Sequence, residues 1–417
     1  MTFRGLRNAF ELGAVAIMLA ACTTIALPDA TSPAQSHAAA LVLDAHADIA
    51  LPETSPLYLG ADGRSKVSPD KLRAGGVDAV VLSVAASPQP RTPDGDAAAR
   101  AESLTKLAAA QDLLASDPAT FALATTADTV RANHAEGKVS VLLGFQNAQA
   151  LAGDIDQIDA LYADGVRMFA LTHLGHNDFA DSSRPRFDGA TRTYEVTEEH
   201  GGLSPLGIAA VRRIDALGAL VDVSQMSKAA TLQAVDLVDG PVIASHSNVK
   251  ALSDVTRNLS DDEIDAIAAK GGVIHIAAFS AYLVDLSDPD LKAQIIDVRT
   301  TAGLPETYSY PYELYWELET DDEKIAFLTN MRQLVGRETV SRMVDHIDYV
   351  VDRVGIDHVG IGTDFNHGGG IVGFEEADSA ANLTAALLAR GYSQDAINQI
   401  WSGNFLRALD AAAADGS

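Results

Sequence analysis

The feature that most constrains this chain is an alternation. Eight short apolar, β-rich runs are separated by stretches with helical periodicity. The runs are LVLDAHAD (41–48), VDAVVLSV (77–84), VSVLLGF (139–145), RMFALTH (167–173), ALVDVS (219–224), PVIASH (241–246), GVIHIAA (272–278) and HVGIGTD (358–364). Each is mostly apolar instead of alternating, the pattern of parallel strands covered on both faces. The segments between carry helix punctuation. Ser204 and Pro205 predict a cap and first turn with Gly218 past the end; Ser260 with Glu263 predicts a capping box; Gly165 and Gly240 predict two further helix ends. Strands alternating with helices predict an α/β fold with a parallel sheet, and eight such units predict a (β/α)₈ TIM barrel with inserted helical segments and C-terminal helices. An open doubly wound sheet would call for a Gly-rich phosphate loop after the first strand, where the chain reads IALPE (49–53). The largest insertion, roughly 280–340, contains TYSYPYELYWELE (307–319), an aromatic and polar mixture expected at a lid or an interface.

Composition narrows the function classes. With 47% hydrophobic and 21% charged residues, the 417-residue chain is not wholly disordered. No apolar run reaches the ~18 residues of a spanning helix, which excludes a multi-span membrane protein. Lys+Arg number 30 against 57 Asp+Glu, a net charge of −27 that repels phosphate backbones and argues against nucleic acid as a partner. The single cysteine, Cys22, excludes intramolecular disulfides and multi-Cys zinc sites. It follows a basic n-region (Arg4, Arg7) and a short apolar stretch (Leu12 to Ala20), and Leu19-Ala20-Ala21-Cys22 matches a bacterial lipobox. Residues 1–21 are expected to be a lipoprotein signal peptide, 22–40 a flexible tether with Cys22 lipidated, and 41–417 a single barrel domain. Thr23 after the cysteine directs such a protein to the outer membrane of the bacterial envelope, facing the periplasm; a plain secretory signal would leave it soluble in the periplasm.

In such barrels chemistry sits at the C-terminal ends of the strands. There the first run offers His46 and Asp48, the third Gln146 and Asn147, the fourth His173 with His176 close behind, the fifth Gln225, the sixth His246 and the eighth Asp364. Singly, each has a bland reading, since a lone His is more often a hydrogen-bonded core residue and an Asp after a strand more often a helix cap. Together they share one face of the expected barrel. His46 and Asp48 stand two apart, so a strand points both the same way. Imidazole nitrogen and carboxylate oxygen are both zinc ligand types.

The chain resembles the membrane (renal) dipeptidase family of the metal-dependent amidohydrolases. The matching stretches include LDAHADIALP (43–52), DGVRMFALTH (164–173), ADSSRP (180–185), GLSPLG (202–207), PVIASHSN (241–248), TRNLSDDEI (256–264) and VGIGTDF (359–365), in order over nearly all of 41–410. The resemblance implies a zinc-dependent dipeptidase in which His46, Asp48 and His246 are metal ligands. By the same resemblance, His173 steadies the substrate carbonyl, Arg257 holds the substrate's free carboxylate, and Asp364 moves a proton from and to the attacking water. It also implies a small dipeptide substrate and a homodimer. Two positions depart from the family pattern: Gln146 stands where a bridging Glu is usual, and Gln225 where a His is usual. A neutral amide offsets no charge between two dications and is a weaker zinc ligand than imidazole. One zinc site is therefore expected at His46 and Asp48 with Asp364 nearby, and Gln146, Gln225 and His246 form a poor second one that His176 would not readily repair. Two rival readings share these residues: an amidohydrolase acting on N-acyl amino acids or lactams, and a binding lipoprotein with weakened catalysis.

Overall fold

All eight apolar runs form parallel strands, and they pair in one continuous order. In this computed structural model, which describes residues 1–2, 32–336 and 338–416, the strands are Leu43–Asp48, Ala79–Ala85, Val139–Gln146, Val166–Ala170, Leu220–Asp222, Ile243–Ala244, Val273–Ile276 and Val359–Ile361. Each hydrogen-bonds the next along the chain. The first and eighth meet where Asp48 N donates to Phe365 O (2.9 Å) and Asp364 N donates to His46 O (3.0 Å), nearly closing a TIM-type barrel. The seam thus joins the two segments that carry His46, Asp48 and Asp364.

The core has two main layers. Leu43, Ala45, Ala79, Val81, Leu142, Met168, Leu220, Ile243 and Val273 fill the lower barrel and pack on Phe405, Leu406 and Leu409 of the C-terminal helix Asn404–Asp415. The opposite strand faces, with Ala47 among them, pack against the surrounding helices. Leu43 and Ala45 therefore face inward while Ala47 faces out. The phase change coincides with a register shift between Asp44 and Ala47. Such a bulge re-aims the side chains beyond it, and here it turns His46 and Asp48 into the mouth. Gly360 and Gly362 let the eighth strand approach its neighbours: a Cβ at Gly362 would lie 1.8 Å from Ser245 O, and one at Gly360 2.4 Å from His275 Cδ2.

Ser204 caps the helix Pro205–Ala216 by accepting from Gly207 N, and Ser260 with Glu263 forms the expected capping box. Gly165 and Gly218 adopt the left-handed backbone expected past a helix end. Gly240 does not, because its helix already stops at Leu237. The signal peptide and Cys22 lie outside the described residues. The expected tether ends earlier than residue 40: Pro33–Ala38 is helical, and buried His37 contacts Thr384 Oγ1 and Gly75 O, each at 2.7 Å. A short strand, Phe121–Leu123, pairs beside Val139–Val141 and was not foreseen. The insertion is less purely a lid than expected. Tyr310, Tyr312 and Leu314 are buried in a third apolar cluster with Ile295, Phe327 and Met331, and with the less buried Tyr315 and Trp316 they line a cavity over the barrel mouth.

Candidate metal centre

The candidate metal ligands are delivered by strand ends, and several residues at those ends are conformationally strained. Asn147, Gln225, Asp364 and Asn366 all have positive φ (80°, 70°, 59° and 64°) although none is glycine. Backbone held in this region concentrates where side chains must be aimed for function.

His46, His246 and Asp364 bring their ligand atoms within 4.8 Å of one another, all buried. His46 Nε2 lies 3.9 Å from Asp364 Oδ1 and 3.6 Å from Asp48 Oδ1, and the rings of His46 and His246 stack at 3.8 Å. Tetrahedral zinc with bonds of ~2.1 Å spaces its ligands by roughly 3.3 Å, so small side-chain rotations suffice to close these gaps. Asp48 Oδ1 is buried without a hydrogen-bond partner, as expected of an atom with a cation to bind. The residues present fit a metal ion. The cluster differs from expectation in one respect: His246 stands with His46 and Asp364 and not only with the two glutamines.

The ligands are oriented from behind. Ser245 Oγ donates to Asp222 Oδ2 (2.5 Å), so it must accept from His246 Nδ1 (2.7 Å), which leaves His246 Nε2 as a lone pair facing the site. Asp48 Oδ2 accepts from His367 Nδ1 at 2.9 Å. His367 was missed in the sequence; its signal was a histidine three residues past Asp364 in a glycine-rich loop, FNHGGG. Its Nε2 meets His173 Nε2 at 3.3 Å.

Burial and neighbours set the charge states. Burial alone would disfavour the charged form of His46, but Asp48 and Asp364 outweigh it and raise its pKa. Burial likewise opposes ionisation of Asp48, yet His367 and His46 hold it well below the usual carboxylate range. Asp364 is pushed up by burial. Burial drives His173 and His246 well below the normal imidazole value, aided by His367 for the first and His46 for the second. Both are therefore neutral.

The glutamines are placed differently from each other. Gln225 Oε1 accepts from Arg184 Nη2 (2.9 Å) and its Nε2 lies 3.3 Å from His246 Nε2, while Gln146 Nε2 is buried without a partner. His176 is engaged elsewhere, accepting from Ser182 N through Nδ1 and donating through Nε2 to Val196 O. Arg257 is fully buried and donates from Nη1 to Ser247 Oγ (2.9 Å) and from Nη2 to His246 O (2.5 Å). A cavity of about 930 Å³ opens above the site, with Asp48, His173, Arg184, Tyr282, Tyr310 and His367 among its walls.

The family model for membrane dipeptidase, peptidase family M19, matches residues 34–416. Dipeptidase aclJ of Aspergillus oryzae is 28% identical over 277 residues, 66% of this chain and 52% of that protein. Dipeptidase verJ of Clonostachys rogersoniana is 29% identical over 293 residues, 69% of this chain and 59% of that one. The chain thus spans just over half the length of the curated relatives it matches. The crystal structure of the probable dipeptidase PvdM from Pseudomonas aeruginosa superposes with a TM-score of 0.80 at 32% identity, covering 92% of this chain and 98% of that one.

Proposed function

The chain belongs to the membrane dipeptidase family, peptidase family M19, and from that premise we propose that it is a zinc-dependent dipeptidase hydrolysing the peptide bond of free dipeptides. The observation that carries this reading is the convergence of buried His46, His246 and Asp364 from the first, sixth and eighth strand ends, beneath a cavity walled by His173. His46, His246, Asp48 and Asp364 would hold the ion. A mixed nitrogen and oxygen donor set favours zinc. Bound there, zinc supplies Lewis-acid polarisation and a nucleophilic water at neutral pH.

The chain's own residues do the rest. Asp364, its carboxylate made more basic by burial, accepts the proton of the attacking water and returns it to the leaving amine. His173 is neutral, and its Nε2–H, held toward His367 in the free protein, is positioned to donate to the substrate carbonyl oxygen as negative charge develops. Each Nη of Arg257 keeps a second proton beyond those given to Ser247 and His246, and these hold the substrate's terminal carboxylate. One zinc per chain is proposed, because Gln225 spends its oxygen on Arg184 and Gln146 brings no charge. Lipid attachment at Cys22 and residence in the bacterial envelope belong to the same proposal and rest on the lipobox.

The test is metal analysis of the purified protein beside hydrolysis of a panel of L,L and L,D dipeptides. Zinc retention with cleavage of at least one class is expected. Zinc retention with cleavage of N-acyl amino acids or lactams alone would overturn the dipeptide reading.

A further inference from the structure

Two guanidinium groups are buried beside the site, and neither forms an ion pair among the described residues. Arg257 is anchored through both Nη groups. Arg184 is anchored far less. It is 3% exposed, only Nη2 finds a protein acceptor, the neutral Gln225 Oε1 at 2.9 Å, and Nε, like that of Arg257, is buried with no partner. Its guanidinium carbon lies 5.4 Å from the centre of the Tyr310 ring. It lines the cavity beside His173, Tyr282 and Tyr310. The segment bearing it is pinned, not free: Ser183 N donates to Gln225 O (2.9 Å) and Ser182 Oγ donates to His173 O (2.5 Å). Gln225 is itself fixed by its left-handed backbone, φ 70°.

A guanidinium stays charged at any pH the fold survives. Burying one with no carboxylate at ion-pair distance is costly; a single amide oxygen does not neutralise it, and Glu313 and Asp364 act on it only from farther off. A fold that aims such a group into a substrate cavity leaves its counter-charge to the ligand. Lys66, Lys106, Arg186 and Arg332 also line this cavity, against Asp48, Glu53, Glu102 and Glu317. We propose that Arg184 is a specificity-determining anion anchor that binds a second carboxylate of the substrate, beyond the terminal one assigned to Arg257. The preferred substrates are then dipeptides with an acidic side chain. This rests on the dipeptidase reading above. A purely supporting role, in which Arg184 only orients Gln225, is the outcome that would displace it.

The test compares Ala-Glu with Ala-Gln and Glu-Ala with Gln-Ala, pairs matched in size and differing in charge. In one of the two pairs the wild type should prefer the acidic member by on the order of 10- to 100-fold in kcat/KM, the range for a hydrogen bond to a charged group. Arg184→Gln should collapse that ratio toward one, and Arg184→Lys should keep part of it. Calorimetric binding of the same dipeptides to metal-depleted protein should show the same preference, weakening with salt. A wild-type ratio near one in both pairs and both assays overturns the proposal without any variant. So does Arg184→Gln lowering both members equally. If no dipeptide is cleaved, the dipeptidase reading fails instead, and the binding arm alone decides the role of Arg184.

Discussion

Removing one hydroxyl behind the metal centre should weaken zinc binding without unfolding the protein. Ser245 Oγ links Asp222 to His246 and is completely buried. In Ser245→Ala, Asp222 Oδ1 still accepts from Ser224 N (2.9 Å) and Ser245 N (3.0 Å), while Oδ2 loses the hydroxyl it accepts from, a cost to the fold that is the same with and without zinc. His246 Nδ1 loses its partner as well, and there the two states differ. Without zinc the ring escapes by moving its proton to Nε2, leaving a bare lone pair at Nδ1. With zinc at Nε2 the proton must sit on Nδ1, buried and unsatisfied, at a cost of about 1–3 kcal/mol. This second cost falls on the bound state alone, so zinc affinity should drop on the order of 10- to 100-fold, about 1.4–2.7 kcal/mol. A competitive chelator titration of metal-depleted wild type and Ser245→Ala measures this directly, and chemical denaturation of the same samples checks that the variant remains folded at the start of the titration. Affinity within about twofold of wild type would show that His246 is not held by this relay or is not a ligand.

Three other expectations follow from separate observations. Gln146→Glu with Gln225→His should raise zinc from about one toward two equivalents by mass spectrometry after dialysis against a weak chelator, on ligand strength and charge, with neither change sufficient alone; two equivalents on the wild type would refute the one-metal reading. Cys22→Ala should move the protein from the membrane to the soluble fraction, since the acyl chains expected on that residue supply the anchor; unchanged partitioning would refute lipidation. Buried His346 has its pKa lowered to about 3 by burial, with Arg342 adding to the shift. Between that value and the unfolded pKa of about 6.5 the unfolded chain holds one more proton, so stability should fall on acidification by up to about 1.4 kcal/mol per pH unit. His346→Gln should flatten this limb in denaturant titrations at pH 4 and 6, and an unchanged slope would show that His346 is not its source.

The barrel was legible because each strand is a mostly apolar run bounded by helix caps, a signal strong enough to locate all eight. What escaped was short or depended on packing. Phe121–Leu123 spans three residues, too few for a period to register. Pro33–Ala38 reads as a small-residue tail and is helical because His37 finds partners on distant segments. The bulge between Asp44 and Ala47 leaves no mark in the residue types, yet it turns the first-strand ligands inward. His173, His246 and Asp364 were visible as polar residues ending apolar runs. His367 and Arg184 were not, because each sits in a loop whose path only the folded chain defines.

Charge balance ties the two glutamines to Arg184. The carboxylates facing the ion are Asp48 and Asp364, whose two negative charges match one dication. Arg184, bound to Gln225 within this group, already adds a positive charge. Arg257, held on Ser247 and His246, adds another, so a second dication would leave four uncompensated positive charges in a buried site, where each is far costlier than in water. With one zinc the surplus is the two guanidinium groups, which the terminal carboxylate and an acidic side chain of the ligand would cancel. The departures from the family pattern therefore act in one direction. Replacing a bridging carboxylate by Gln146 removes the charge that a second metal needs, and clamping Gln225 on Arg184 replaces a metal ligand by a fixed organic cation. Metal stoichiometry and substrate charge are linked by this reasoning: the Gln146→Glu, Gln225→His double variant, which deprives Arg184 of its Gln225 acceptor and adds a competing carboxylate, should lose acidic-substrate preference as it gains zinc. A double variant that binds two zinc ions and keeps the full preference would separate the two and break the argument.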